Sequence, residues 1–319
     1  MAHLFRKAPT LLICGVALAA LLCAPHPAST ATLLSTDLTS FAVLGATTVT
    51  NVPTSTIAGN VGVWTSGAAN AITGFLSLPG VPAYDPQVTS GQLHAGTGLA
   101  ASAQGDLTTA RAGLRSLGTG TTLGADLTGL TLAPGVYTVA AAATNLAGML
   151  TLDGGGNANA AWIFQMPSTL ITSTYSVVNV INTGSGAGVF WNVGSSATIN
   201  AGSTFVGNIL ALTSISVKTG ASILGRALAD VGAVTLEMND ISIFGVGDHV
   251  GSNGLSGGLE VADNGTVSFL KSAPLGSLHP LSDASSEATS AVATPTALVL
   301  MLSALTALAL FARRRPARA

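Results

Sequence analysis

The residue types that carry most enzyme and metal chemistry are few in this sequence and poorly spaced for it. Five histidines, His3, His26, His94, His249 and His279, are scattered over 319 residues, and no two stand at the spacing of metal ligands. The stretch "LDGGGNANA", residues 152–160, sets out Asp153, Asn157 and Asn159 in the manner of a calcium loop. It lacks the several carboxylates such a loop uses and reads as a turn. Glycoside cleavage needs paired carboxylates, and Asp153, Asp230 and Glu237 are dispersed. Trp64, Trp162 and Trp191 would suit sugar stacking, but Trp162 and Trp191 fall among apolar strand neighbours and read as core. What does recur is hydroxyl and methyl groups at a fixed interval. In "STFVGNILALTSISVKTGASILGRALA", residues 203–229, a step of 18 places Thr204 on Ser222, Phe205 on Ile223, Val206 on Leu224, Gly207 on Gly225 and Ala211 on Ala229. The sequence predicts no catalytic residue, no metal site and no cofactor.

Short strands must position those repeated groups. Three strand types recur in order: "SATIN", "SISVK" and "AVTLE"; then "STFVG" and "ASILG"; then "GNILA" and "GRALA". Ile199, Val217 and Leu236 fall in register as inward residues of the first type, and Phe205 and Ile223 of the second. Three strands in each 18–19-residue repeat make one turn of a triangular β-solenoid, whose turns bury their apolar faces only by stacking. Less regular turns follow the same cycle, with "STLITS" in the first place, "MLTLDG" and "SVVNVI" in the second, and "AWIFQM" and "GVFWNVG" in the third. An N-terminal segment, "TSTIAGNVGV" (residues 54–63), aligns Thr56 with Thr204, Gly59 with Gly207 and Asn60 with Asn208. Residues 41–64 are β-like and residues 65–90 loop-like. Residues 93–117, Ala-rich with Leu93, Leu99, Leu107, Leu114 and Leu117, predict one long helix lying along a solenoid wall.

The two ends read differently. Residues 1–31 have Arg6 and Lys7 before an apolar run at 11–22, then Ser29 and Ala31 at a cleavage-type site, the layout of a secretory signal. Residues 295–319 combine an uncharged apolar stretch with Arg313, Arg314, Arg315 and Arg318, and predict a transmembrane or sorting segment. Residues 246–294, rich in Gly, Ser and Ala, read as a tether between that segment and a domain at 32–245. The cysteines, Cys14 and Cys23, both lie in the leader, so no disulfide staples the domain. Charged residues are 8% of the chain with a net charge of −2, and no basic patch marks a nucleic-acid partner. The expected location is outside the cell or at its surface.

Taken in order, "FAVLGATTVTN…STIAGNVGV", "APGVYTV…GMLTLDGGGNANAAWIFQM" and "VFWNVGSSATINAGSTFVGNILALTSISVKTGASILGRALADVGAVTLEMNDI" resemble the secreted ice-binding protein family of bacteria, fungi and diatoms. The resemblance covers about residues 36–243. It implies a mainly β fold, an irregular right-handed solenoid with one long helix alongside, and adsorption to an ice crystal surface from one flat face, without a cofactor. An ice face needs regularly spaced methyls and hydroxyls and no charge. Placing Asn200, Lys218 and Glu237 outward on the first face, and Arg226 and Asp230 at the ends of the third, leaves the second face uncharged. The candidate ice-binding residues are therefore Thr54, Thr56, Ala58, Thr151, Thr204, Val206, Thr219 and Ser222. The alternative is a surface structural or adhesion module of the same fold. Membrane contact is expected through the C-terminal segment, and protein partners are left open.

Overall fold

A computed structural model describes residues 31–65 and 71–275. Residues 1–30 of the predicted leader (1–31), residues 276–294 of the predicted tether and the C-terminal apolar segment with its arginines lie outside the described residues. Among the described residues no helix is long and apolar enough to cross a membrane.

The fold is mainly β. Strands stack in parallel, coil upon coil, with their residues in register. Ala197–Ile199, Ile215–Val217, Val234–Glu237 and Val49–Val52 pair successively on the first face, flanked by Leu170–Ile171 and Ile72–Thr73. The second and third strand types fuse into single long strands, Thr204–Ala211 and Ser222–Ala229, paired over their full length. Each turns a corner at a glycine, Gly207 (φ 116°) and Gly225 (φ 141°), and Gly59 (φ 132°) does the same after Thr56–Ala58. Those φ values are ones that L side chains rarely adopt. At Gly207 a Cβ would also stand 2.6 Å from Val189 Cγ1 and 2.8 Å from Trp191 Nε1. Gly207→Ala is expected to cost about 3 kcal/mol through strain and overpacking, read as a lowered urea midpoint at unchanged slope.

Inside the coils, apolar side chains from all walls form one core, which includes Ile199, Val217, Leu236, Phe205, Ile223 and both predicted tryptophans. Phe164 stacks on Trp191 at 4.0 Å, and Trp191 meets Phe205 at 5.0 Å. The indole N–H groups donate to backbone carbonyls, Trp162 to Leu132 (3.0 Å) and Trp191 to Val206 (3.1 Å), which satisfies the polar ends of two fully buried rings.

The chain order is not the stacking order. N-terminal strands Phe41–Gly45 and Asn60–Val63 form coils at one end, and helix α2 (Gly98–Ser116) runs back along the third face. Its 19 residues span about 28 Å, close to six rungs at about 4.8 Å. Thr121–Leu123 restarts the coiling, which climbs until Ser222–Ala229 pairs with Phe41–Gly45 and Val234–Glu237 with Val49–Val52. One face of α2, Ala100, Ala103, Leu107, Ala110 and Leu114, buries against the outward side of the third face at Leu44, Ile163, Phe190, Leu210 and Leu228. Short helix α1 (Thr36–Thr39) packs beside it through Leu38.

The helix begins later than the predicted residue 93. Leu93–Ala95 is a strand, Gly96 turns at φ 70°, and Thr97 caps α2 by accepting from the Ala100 N–H at 3.3 Å. His94 Nδ1 lies 3.1 Å from the same Thr97 hydroxyl, and its ring meets Phe41 edge-on at 5.5 Å. Burial lowers the His94 pKa from 6.5. The folded pKa is thus below the unfolded one, so this stability is present above pH 6.5 and is lost as pH falls through the folded value. His94→Gln is expected to flatten that limb of the stability–pH curve, measured by denaturant midpoints across the window.

Residues 246–275 differ from a flexible tether. They belong to the same compact unit as the coils. Leu255, Leu259 and Val267 are buried, and Leu259–Val261 and Val267–Phe269 join Ala31–Thr32 in a small antiparallel sheet. Glycine here serves close approach: a Cβ at Gly257 would meet the Gly186 carbonyl at 2.2 Å, and one at Gly258 the Ala161 methyl at 2.6 Å.

Candidate functional site

Three faces compete for the outside of the coils. The third is covered by α2 and carries the one buried ion pair among the described residues. Arg111 Nη1 donates to Asp230 Oδ2 at 2.6 Å, Thr108 donates to Asp230 Oδ1 at 2.7 Å, and Gln104 reaches the Ala229 and Asp230 carbonyls. Burial lowers the Arg111 pKa, and the hydrogen bond and charge of Asp230 oppose that. The predicted dispersal of carboxylates holds: Asp230 pairs with Arg111, Glu237 with Lys218, and Asp153 accepts from Gly155 N and Asn182 on the strand Met149–Asn157, which takes up most of the stretch expected to be a turn. Among the described residues no group of acidic, histidine or cysteine side chains is arranged to hold a metal ion.

The second face gathers most of the predicted residues. Thr204, Ser222 and Thr56 stand in one outward row, with Asp240 between the last two. That carboxylate corrects the expectation of an uncharged face; its strand, Asp240–Ser242, closes the next coil and was not read as a repeat member. Ala58 faces outward in the neighbouring row with Ser242, and Thr151 lies between Thr131 and Asn179. Val206 is a second correction: it is only 7% exposed. Phe244, Val246 and His249 wall a groove of about 390 Å³ over Thr204, Val206 and Ser222, so the face is concave at its centre. Burial lowers the His249 pKa, and the neighbouring Asp248 charge opposes that. Thr54 falls in a loop and Thr219 in a turn, both outside the strand ladder, Thr219 donating to Glu237 Oε2 at 3.0 Å.

The first face has the regularity that the second lacks. Ile171, Thr198, Ser216, Thr235, Thr50 and Thr73 stand opposite one another across six parallel strands. One residue before a second set of inward residues, Ala197, Ile215, Val234, Val49 and Ile72, lies a parallel row, Ser196, Ser214, Ala233, Thr48 and Ala71. Rungs repeat at about 4.8 Å, and the two rows are separated by about 6.6 Å along the strands. Neither row holds a charge. Neighbouring hydroxyls touch, Ser196 with Thr213 at 2.7 Å and Thr73 with Thr50 at 3.3 Å, which fixes their orientation. Asn200, Lys218 and Glu237 do sit at the far strand ends, half-buried. There Lys218 Nζ pairs with Glu237 at 2.9 Å, and that hydrogen bond, ahead of the Thr219 hydroxyl's, holds Glu237 below the usual carboxylate range. The sequence reading used the residue after each anchor and passed over the residue before it. The signal was present, since Thr198, Ser216 and Thr235 directly precede Ile199, Val217 and Leu236.

Parallel coils braced by one long helix, with broad regular faces, define a mainly β, solenoid-like fold. The chain belongs to the family described as Ice-binding-like, whose model matches residues 43–242. An ice-binding protein of Nostoc sp. (strain HG1) is 45% identical over 204 residues, which cover 63% of this chain and 71% of that one. One of Flammulina populicola is 32% identical over 225 residues, 65% of this chain and 86% of that one. The crystal structure of an ice-binding protein from the Antarctic ascomycete Antarctomyces psychrotrophicus superposes with a TM-score of 0.59 at 33% identity, covering 68% of this chain and all of that one.

Proposed function

We propose that this protein binds ice through its first face and thereby slows ice growth or recrystallisation, without catalysis. The observation that carries the reading is the pair of uncharged hydroxyl and methyl rows held in register over parallel strands. Methyls restrain competing hydration, while fixed hydroxyls hold water at the rung spacing. Each hydroxyl contributes only about 1 kcal/mol net. Affinity therefore comes from many contacts on a surface that needs no further ordering, where little conformational entropy is lost on adsorption. The family membership supports ice as the ligand, and the reading moves the site from the second face to the first.

The finer geometry belongs to the same proposal: right-handed winding, a triangular cross-section, export by the N-terminal leader and surface retention by the C-terminal segment. A second reading, adhesion, rests on the groove beside Asp240 with Phe244 and Val246 exposed at its wall. Single ice crystals grown in the purified protein test the two. Faceted, shaped crystals and arrested recrystallisation are the expected result. Unshaped growth equal to buffer would transfer the function to adhesion.

A further inference from the structure

The segment that follows the last coil is fastened around a cation that has no anionic partner among the described residues. Arg226 is fully buried on Ser222–Ala229. Its Nη1 donates to Asn208 Oδ1 (2.8 Å) and the Asn253 carbonyl (2.9 Å), and its Nη2 to the Thr39 carbonyl (2.6 Å) and Asn253 Oδ1 (2.7 Å). Its Nε is buried without a partner among the described residues. Every acceptor is neutral. Burial pushes the guanidinium down to about 9, which leaves it charged at neutral pH.

The residue after Asn253 is constrained to be glycine. Gly254 has φ 57°, and a Cβ there would lie 2.9 Å from Arg226 Nη1 and 3.2 Å from the Gly225 and Ile243 Cα atoms. Closing the chain over Arg226 thus creates an Asn-Gly pair, the dipeptide whose unhindered backbone nitrogen most readily attacks the asparagine side chain. Asn253 itself is exposed to water.

We propose that Asn253 is a self-processing site, where the side-chain amide converts to a carboxylate that pairs with Arg226. The Gly254 nitrogen, its proton taken by hydroxide, attacks Asn253 Cγ. The oxyanion forms on Oδ1, where Arg226 Nη2 already donates, so the charge develops against a preorganised cation. The Cγ–Nδ2 bond breaks, and ammonia leaves with a proton from water. A second water opens the succinimide to an acid. No oxidant, metal or cofactor takes part. The product turns a clasp of neutral acceptors around the charged Arg226, between the coils and residues 246–275, into an ion pair.

The chain contains its own comparator. Asn264–Gly265 is also an Asn-Gly pair, but Asn264 Oδ1 accepts from Thr266 N at 2.9 Å in an exposed turn, and the Gly265 N–H is held by the Ala262 carbonyl at 2.8 Å. Full-length protein, aged in mildly alkaline buffer, is sampled by peptide mass mapping that separates aspartate from isoaspartate. Acid is expected at position 253 roughly tenfold faster than at 264, as a cationic donor on the developing oxyanion requires. Asn253→Asp is expected to melt about 4 °C above the unprocessed chain, and Asn253→Gln to show neither conversion nor gain. Conversion at 264 ahead of 253, isoaspartate alone at 253, or a lower melting point for Asn253→Asp would each overturn the proposal.

Discussion

Tyrosines at Ser216 and Thr235 abolish ice shaping while the protein stays folded. The two residues lie side by side at the centre of the first-face ladder, between Thr198 and Thr50. Both point away from the core and are half-exposed. Substitution at such positions changes stability by about 0.5 kcal/mol or less, so the melting temperature serves as the folding control. The effect on ice is large for a geometric reason. Losing two hydroxyls removes about 2 kcal/mol at most, whereas two phenol rings standing off a flat lattice hold their neighbours in both rows away from the crystal. Shaping and recrystallisation inhibition are therefore lost together. The companion variant Thr204→Tyr, Ser222→Tyr alters the second face, where Asp240 and the Phe244–His249 wall already break the surface, and it keeps full activity. The opposite pattern, loss with the second-face pair and retention with the first, returns the site to the second face.

The sequence made the coils legible because a step of 18 residues carries its own register. Ile199, Val217 and Leu236 announce a stacked column, and their pairing in the structure follows residue by residue. The same column defines what faces outward on both sides of each anchor, yet only the charged side drew notice. Charge stands out in a composition of 8% charged residues, while Thr198, Ser216 and Thr235 look like ordinary strand formers. Asp240 was passed over although it continues the same 18-residue step from Thr204 and Ser222; its strand stops after three residues, so the fused second and third types that marked the earlier coils are missing there. Least legible was everything that depends on contacts distant in sequence. The pairing of Val234–Glu237 with Val49–Val52 joins opposite ends of the domain. The burial of Leu255, Leu259 and Val267 uses no periodic pattern at all, and the glycines that permit it look like those of a tether.

Asp230→Ala lowers stability by about 4 kcal/mol. Arg111, on α2, is 2% exposed and has Asp230 as its one ionic partner among the described residues, with the Leu210 and Val193 carbonyls completing its shell. Removing the carboxylate leaves a guanidinium buried on the third face and strips the Thr108 hydroxyl of its acceptor. For a chain of this length such a loss lowers the melting temperature by about 10 °C, read by circular dichroism. The paired replacement Arg111→Met, Asp230→Leu removes both charges, and it recovers most of the loss because an apolar pair of similar volume carries no desolvation cost. A charge that merely sits beneath the helix gives a different result, with equal, small shifts in the single and double variants. The ion pair lies beneath α2 on the third face and shares no residue with the two hydroxyl rows of the first. At temperatures where Asp230→Ala remains folded, its ice shaping per molecule equals the parent's, and a loss of shaping there would show that docking of α2 sets the flatness of the first face.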